Sequence, residues 1–278
     1  MTPDGAAHPT GTGAAGASPA RQRVVAVVPL RDGSSGKSRL ATVLDPAERS
    51  RLIGVLARYV VGTLLASESV ERVLVVTSDP RFTWRALGNL AEPVPLPRVT
   101  DPPAEGDGDN AEGDAPGRLQ IVLQPASRPG LNAALDVGRE IVASLVADPA
   151  GEAACATAVR PVRLLVAHAD LPALATDDVE ALLAEDAPVV VATDRTRSGT
   201  NLLVLDADAP FTFRFGVESL EAHLAEAERR GVRAAVVQRT GTAVDLDTLD
   251  DWSELPADVR ARDELADLHR AIDRSHRA

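Results

Sequence analysis

Three aspartates at two places in the chain have the type and spacing to hold a hard cation. Asp170 ends the run Leu164-Leu165-Val166-Ala167-His168-Ala169 and is followed by Leu171-Pro172. Such an apolar run between turn residues reads as a buried strand of a parallel sheet. Ligands of open α/β sheets gather beyond the carboxyl ends of such strands. Asp245 and Asp247 are two apart, so in extended backbone both carboxylates leave the same side. Gathered with Asp170 they make an all-oxygen site for Mg²⁺, able to set the metal against a phosphate. Each acid alone has a plainer use: Asp170 caps a turn, and Asp245 with Asp247 begins the N-cap cluster that runs on through Thr248-Leu249-Asp250-Asp251.

A second group is cationic. Arg31-Asp32-Gly33-Ser34-Ser35-Gly36-Lys37-Ser38-Arg39 follows the first apolar run. It is not a P-loop, because Arg31 stands where that motif needs its first glycine. No Gly-x-Gly-x-x-Gly follows an expected strand, which argues against a dinucleotide cofactor. Backbone N–H groups with Lys37 and Arg39 suit a triphosphate; a solvated surface loop is the alternative. Two further stretches offer anion sites: Ser198-Gly199-Thr200-Asn201, with bare backbone and a hydroxyl, and Phe215-Gly216-Val217-Glu218-Ser219, which leads into a helix start. Both also read as plain turns. His168 reads as a packed histidine rather than a base. His223, one turn after Ser219, either orients that loop or sits half-exposed.

The elements that must position these groups alternate. Strands are expected at 24–30, 73–76, 119–123, 164–167, 189–192, 201–205 and 232–237, with 201–205 in a hairpin or edge pairing. Helices are expected after the Asp45-Pro46-Ala47-Glu48 start, at 131–146 opened by Gly130, at 176–184, at 219–230 with Ser219 as N-cap and Gly231 as stop, around Trp252, and at 257–273. Alternation of this kind gives an α/β three-layer sandwich with a mostly parallel sheet. Residues 1–21 read as a disordered tail, 22–255 as the domain with flexible insertions near 98–118 and 148–160, and 256–278 as a helix packed on it or trailing.

Composition narrows the partners. A net charge of -12 over 278 residues argues against a nucleic-acid binder. No run is long enough to span a membrane, and no secretory signal is evident, so the expected location is cytoplasmic. Cys155 is the single cysteine, which excludes an intramolecular disulfide. Lys37 is the only lysine among 29 basic residues. Arg-for-Lys usage of this kind suggests a GC-rich bacterial genome and a task at Lys37 that Arg does not perform.

Read together, several blocks resemble one family. They are Pro29-Leu30-Arg31 with Gly36-Lys37-Ser38-Arg39-Leu40-Ala41; Gly130-Leu131-Asn132-Ala133-Ala134-Leu135; His168-Ala169-Asp170-Leu171-Pro172; Asp194 with Gly199-Thr200-Asn201; Phe215-Gly216 with Ser219 and His223; and Asp245-Leu246-Asp247-Thr248. In this order, over about residues 22–253, the chain resembles the guanylyltransferases of coenzyme F420 biosynthesis, the CofC/FbiD family. The resemblance implies a nucleotidyltransferase fold, similar to the molybdenum-cofactor guanylyltransferases and the GT-A glycosyltransferases. It implies GMP transfer from GTP to phosphoenolpyruvate or 2-phospho-L-lactate, and a functional link to a downstream transferase of that pathway. By the same resemblance, Asp170, Asp245 and Asp247 hold Mg²⁺, and Lys37 and Arg39 meet the leaving pyrophosphate. Arg31, Gly36 and Lys37 meet the nucleotide, with Gly130 and Asn132 at the base. Thr200, Gly216 and Ser219 hold the phosphoacid, through backbone N–H groups at Thr200 and at the Ser219 helix start. Arg31 departs from the lysine often found there. The Arg-rich composition has an actinobacterial look and favours phosphoenolpyruvate. A GT-A-like glycosyltransferase using Asp245-x-Asp247 is a more distant reading, against which the cationic loop speaks.

Overall fold

The strands that feed the site, β1 (Arg23–Leu30) and β4 (Val162–Ala167) above all, are rich in Val, Leu and Ala, and the sheet buries most of their residues. The computed structural model describes residues 23–31, 36–90, 117–147 and 162–275. The expected tail, residues 32–35 of the cationic loop, most of the expected insertion near 98–118, all of that near 148–160, and Cys155 lie outside the described residues.

Strands β1 (Arg23–Leu30), β2 (Val70–Thr77), β3 (Leu119–Leu123), β4 (Val162–Ala167), β5 (Val189–Thr193), β6 (Thr200–Asp206) and β7 (Ala234–Val237) form one sheet in the order β3-β2-β1-β4-β6-β5-β7. Its left half is parallel, with Val28 opposite Val75 and Val27 opposite Val166. β6 alone runs against its neighbours, pairing Ala167 with Leu202 and Ala192 with Leu202 from either side. The hairpin expected at 201–205 is present, but its second strand is central and not an edge. All of its residues except Asp206 are buried, the mark of a strand covered on both faces. The reversal has a consequence for the site: the start of β6, at Thr200, reaches the sheet margin where β4 ends. His168 N donates to Asn201 O there (3.1 Å).

Side-chain alternation splits the core. Val24, Ala26 and Val28 face helix α1 (Pro46–Ala66) and its residues Ala57, Val60 and Leu64. Val25 and Val27 face the opposite layer, with Leu135 of α3 (Leu131–Ala147) and, further along, Leu220 and Ala227 of α5 (Ser219–Arg229). α3 lies so close to the sheet that a Cβ on Gly138 would fall 2.6 Å from Val27. The Asp45 start holds as a full capping box. A second Asp-Pro start, without the reciprocal Glu, opens α2 (Pro80–Leu87): Asp79 accepts from Phe82 N (3.0 Å) ahead of Pro80. α4 (Thr176–Leu183) stands where expected.

The C-terminal part departs from expectation. After α6 (Thr240–Ala243) and α7 (Leu249–Glu254), the helix expected at 257–273 is broken into α8 (Ala257–Arg260), a 3₁₀ turn (Asp263–Leu265) and α9 (Ala266–Ser275). The break is tertiary in origin. Arg262 is extended, its Nη1 donates to Pro172 O (2.9 Å), and its guanidinium lies over the Tyr59 ring. These pieces bury Val259, Leu265, Leu268 and Ile272 against Leu40, Leu52 and Leu56 in a third apolar cluster. Among the described residues no helix is long and apolar enough to cross a membrane.

Candidate active site

Beyond the carboxyl ends of β1 and β4 lies a pocket of about 390 Å³. Arg31, Gly36 and Lys37 line one side, Gln124, Gly130 and Leu131 the other, and the turn His168-Ala169-Asp170 the floor; Asp247 reaches in as well. Sequence positions from four separate blocks therefore converge. Arg39 is exposed, and it lies outside this lining together with Asn132, Thr200, Gly216, Ser219 and Asp245.

Lys37 organises the acids. It takes a left-handed backbone conformation (φ 51°) just before the 3₁₀ turn Ser38–Leu40, and Leu40 anchors that turn in the third cluster. Its Nζ donates to Asp170 Oδ2 (3.0 Å), Asp247 Oδ1 (2.9 Å) and Leu246 O (2.7 Å). Only 5 % of the Lys37 side chain is exposed. Burial opposes its charge, but the fields of Asp170 and then Asp247 outweigh that and hold the ammonium above its ordinary pKa. Asp170 shows the mirror image: burial pushes its carboxyl up, yet Lys37, and less strongly His168, bring it below its ordinary value. The main-chain bond from Leu246 N to Asp170 O (3.0 Å) draws the Asp245–Asp247 segment against this turn.

The three-acid cage expected from the sequence is not assembled. Among the described residues no group of three or more His, Cys, Asp or Glu side chains is disposed to hold a metal. An ammonium stands between Asp170 and Asp247 instead, because two carboxylates this close need a counterion. Lys37 is accordingly turned to the acids and not toward a phosphate. The donor set still fits a hard cation. Asp170 Oδ1 is buried without a hydrogen-bond partner. Burial first, then Asp170, then Asp247 raise the Asp245 carboxyl above its ordinary pKa. An unpaired oxygen beside mutually repelling acids is what an oxygen-seeking divalent ion relieves.

Two further residues shape the far wall. Gln124, 9 % exposed, went unremarked in the sequence; its Nε2 donates to Arg128 O (2.6 Å) and Gly130 O (2.9 Å). It fixes the turn in which Gly130 takes φ +100°, a conformation for which glycine is suited. Its only sequence signal was its place at the end of β3. Asn132, expected at the nucleotide base, is spent elsewhere: Nδ2 donates to Phe215 O (3.0 Å), and Oδ1 accepts from Phe215 N (2.9 Å).

The expected anion sites are likewise partly occupied. Thr200 N, expected to meet the phosphoacid, donates to Ser219 Oγ (2.9 Å). Leu220 N at the start of α5 donates to Ser198 O (3.0 Å). Ser219 is the first helical residue and not the N-cap, which is Glu218 at φ 55°; its hydroxyl serves Thr200 and caps nothing. His223 is fully buried. Its Nε2 accepts from Arg214 N (3.0 Å), so Nδ1 carries the hydrogen and donates to Thr200 Oγ1 (2.9 Å). Burial first, then His168 and Arg214, lower the His223 pKa to about 4, so the ring is neutral near pH 7. Asp194 folds the turn that delivers Thr200, with Oδ1 accepting from Ser198 N (2.9 Å); a Cβ at Gly199 would fall 2.9 Å from Asp194 Oδ2.

Residues 114–272 match the sequence profile of the family described as guanylyl transferase CofC like. The chain belongs to the CofC-like guanylyltransferase family. This CofC-like chain is 36% identical, over 239 residues, to phosphoenolpyruvate guanylyltransferase of Rubrobacter xylanophilus, covering 84% of this chain and 94% of that one. It is 31% identical over 250 residues to 3-phospho-D-glycerate guanylyltransferase of Phenylobacterium zucineum, covering 87% and 95%. Among solved structures, one described as a nucleotide-diphospho-sugar transferase of Desulfovibrio desulfuricans G20 superimposes with a TM-score of 0.61 at 10% identity, over 91% of this chain and 97% of that one. The CofC-like chain is thus a nucleotidyltransferase by family, with the fold that its resemblance implied.

Proposed function

We propose that the protein transfers GMP from GTP to the phosphate of phosphoenolpyruvate, giving enolpyruvyl-diphospho-5'-guanosine and pyrophosphate, with Mg²⁺ as the divalent ion. The supporting observation is the Lys37–Asp170–Asp247 cluster on the floor of a pocket beyond β1 and β4, in a chain 36% identical to a phosphoenolpyruvate guanylyltransferase. A phosphate oxygen of the acceptor bonds to the α-phosphorus of GTP as the bond to the β-phosphate oxygen breaks. That oxygen is already ionised near neutral pH, so no general base is needed. The difficulty is bringing two anions together. Asp170 and Asp247, with Asp245 beside them, would hold the divalent ion, which would supply charge neutralisation at the phosphates. Arg31 and Gly36 take the phosphates of GTP, with Arg39 entering from outside the pocket lining; Lys37 holds Asp170 and Asp247 in place beside them, and Gly130 and Leu131 wall the base. Thr200 and Ser219 face the acceptor with their hydroxyls. Each oxygen already accepts an N–H, which leaves its hydrogen for an anion. Gly216 contributes bare backbone.

The 3-phospho-D-glycerate relative favours a second reading in which that phosphoacid is the acceptor. Neither relative's name supports 2-phospho-L-lactate. The deciding experiment incubates the protein with GTP, Mg²⁺ and each of the three phosphoacids separately, and follows pyrophosphate release. Release with phosphoenolpyruvate is expected. Release with 3-phospho-D-glycerate alone would replace the acceptor, and none with any phosphoacid would remove the reading. A downstream transferase that consumes the diphosphate product completes the proposal.

A further inference from the structure

The segment from Phe211 to Gly216 belongs to no strand or helix, so no ladder sets its shape. Near its end, three backbone groups are held by side chains from elsewhere. His223 Nε2 accepts Arg214 N, and Asn132 takes both the N–H and the C=O of Phe215. The Asn132 amide acts as one rung of a missing strand, from 83 residues away. Beyond these anchors Gly216 takes φ +143°, Val217 is 95 % exposed, and Glu218 takes φ 55°. The chain is then pinned again where Ser219 and Leu220 bond Thr200 and Ser198. Residues 216–218 are thus a short exposed bridge between two fixed ends.

We propose that Asn132 and His223 are positioning residues that set this bridge for the acceptor's carboxylate and phosphate. The proposal rests on the acceptor reading of Thr200, Gly216 and Ser219 given above. His223 performs two tasks with one ring, fixed by one tautomer: it anchors Arg214 and turns the Thr200 hydroxyl into a donor. The ring sits between Phe211 (5.9 Å) and Phe215 (4.7 Å), which leaves it no freedom to swap roles. Asn132 connects the two substrates. Its neighbours Gly130 and Leu131 line the nucleotide pocket, and its side chain holds Phe215, whose ring lies 5.2 Å from the pocket residue His168. A nucleotide that shifts the start of α3 therefore shifts the acceptor bridge with it. The alternative, that Asn132 reads the guanine base, requires an amide that is already doubly bonded.

The test is steady-state pyrophosphate release by Asn132→Leu, Asn132→Asp and His223→Gln, varying GTP and phosphoenolpyruvate (or 3-phospho-D-glycerate, if that is the acceptor) in turn. Binding of a fluorescent GTP analogue and the preference for GTP over ATP are measured alongside. Loss of both hydrogen bonds to Phe215 in Asn132→Leu is expected to raise acceptor KM on the order of tenfold, with GTP affinity and preference unchanged. Asn132→Asp keeps the acceptor for Phe215 N and shows a smaller rise. His223→Gln keeps an acceptor for Arg214 N and raises acceptor KM through Thr200. A loss of GTP preference in Asn132→Leu at constant acceptor KM would make Asn132 a base contact and overturn the proposal. Ser219→Ala separates the layers. If it raises acceptor KM while Asn132→Leu and His223→Gln do not, the positioning roles fall and the acceptor reading stands. If none of these variants moves acceptor KM, both fall. Should Asn132→Leu fail to fold, Asn132→Asp and His223→Gln decide.

Discussion

At the scale of single residues, Lys37 and Asp170 carry opposite expectations. Asp170→Asn keeps the shape but loses charge next to Lys37 and Asp247. Turnover is expected to fall by roughly 10²–10³ with a circular dichroism spectrum like that of the parent; near-parent turnover would remove Asp170 from the metal site. Lys37→Met is a different matter. The ammonium occupies the space between two carboxylates that a divalent ion would use, so it competes with that ion while neutralising the acids. Without nucleotide, Mn²⁺ measured by electron paramagnetic resonance is expected to bind Lys37→Met more tightly than the parent, by roughly tenfold, even as GTP turnover falls. Weaker Mn²⁺ binding would mean that Lys37 organises the acids for the ion and does not compete with it. His223 supplies a pH signature. Its folded pKa of about 4 lies below the ordinary 6.5, so between those values the unfolded chain binds the extra proton. Its contribution to stability is complete above pH 6.5 and shrinks as pH falls toward 4, by up to about 3 kcal/mol. The urea midpoint of the parent should fall across that window, and the fall should be smaller in His223→Phe; identical slopes would show that the ring titrates normally.

At the scale of elements, what the sequence revealed was what neighbouring residues determine. Val- and Leu-rich runs marked the strands, because burial of the central ones on both faces leaves little polar alternation. Asp45-Pro46-Ala47-Glu48 marked a helix start, because a capping box closes within four residues. Asp79-Pro80 carried only half of that signal, with Phe82 where the box needs Glu, and it follows the end of β2 so closely that it reads as a turn. What could not be read depends on partners far away in sequence. The central place of β6 is set by β4 and β5 together. The break at Arg262 is set by Pro172 and Tyr59, 90 residues or more distant. Lys37 meets Asp170 across 133 residues, and Asn132 looked like a base contact because nothing local shows Phe215. The C-terminal helices give this scale its prediction. Leu268 packs in the cluster that contains Leu40, three residues from Lys37. Leu268→Ala is expected to cost about 2–5 kcal/mol in urea unfolding and to loosen the Lys37 turn. A stability cost under about 0.5 kcal/mol would mean that these helices trail the domain and do not brace it.

At the scale of the whole molecule, charge opposes function. The chain carries -12 and is proposed to bring together a nucleoside triphosphate and a phosphorylated acid. The local cations do little to reverse that field. Lys37 is already neutralised by Asp170 and Asp247, which leaves Arg31 as the exposed cation on the pocket lining. Long-range steering therefore repels substrates, and recognition depends on contacts formed after arrival. Raising salt from about 0.01 M to about 0.1 M shortens the Debye length from about 30 Å to about 10 Å. That removes the repulsion between the molecule as a whole and an approaching anion while leaving contacts inside the pocket largely unscreened. kcat/KM for GTP, at constant free Mg²⁺, is accordingly expected to hold or to rise by about two- to threefold over that range. A steep fall instead would locate a cationic funnel that outweighs the net charge, and the part of the molecule to search for it would be the loop that carries Arg31 and Arg39.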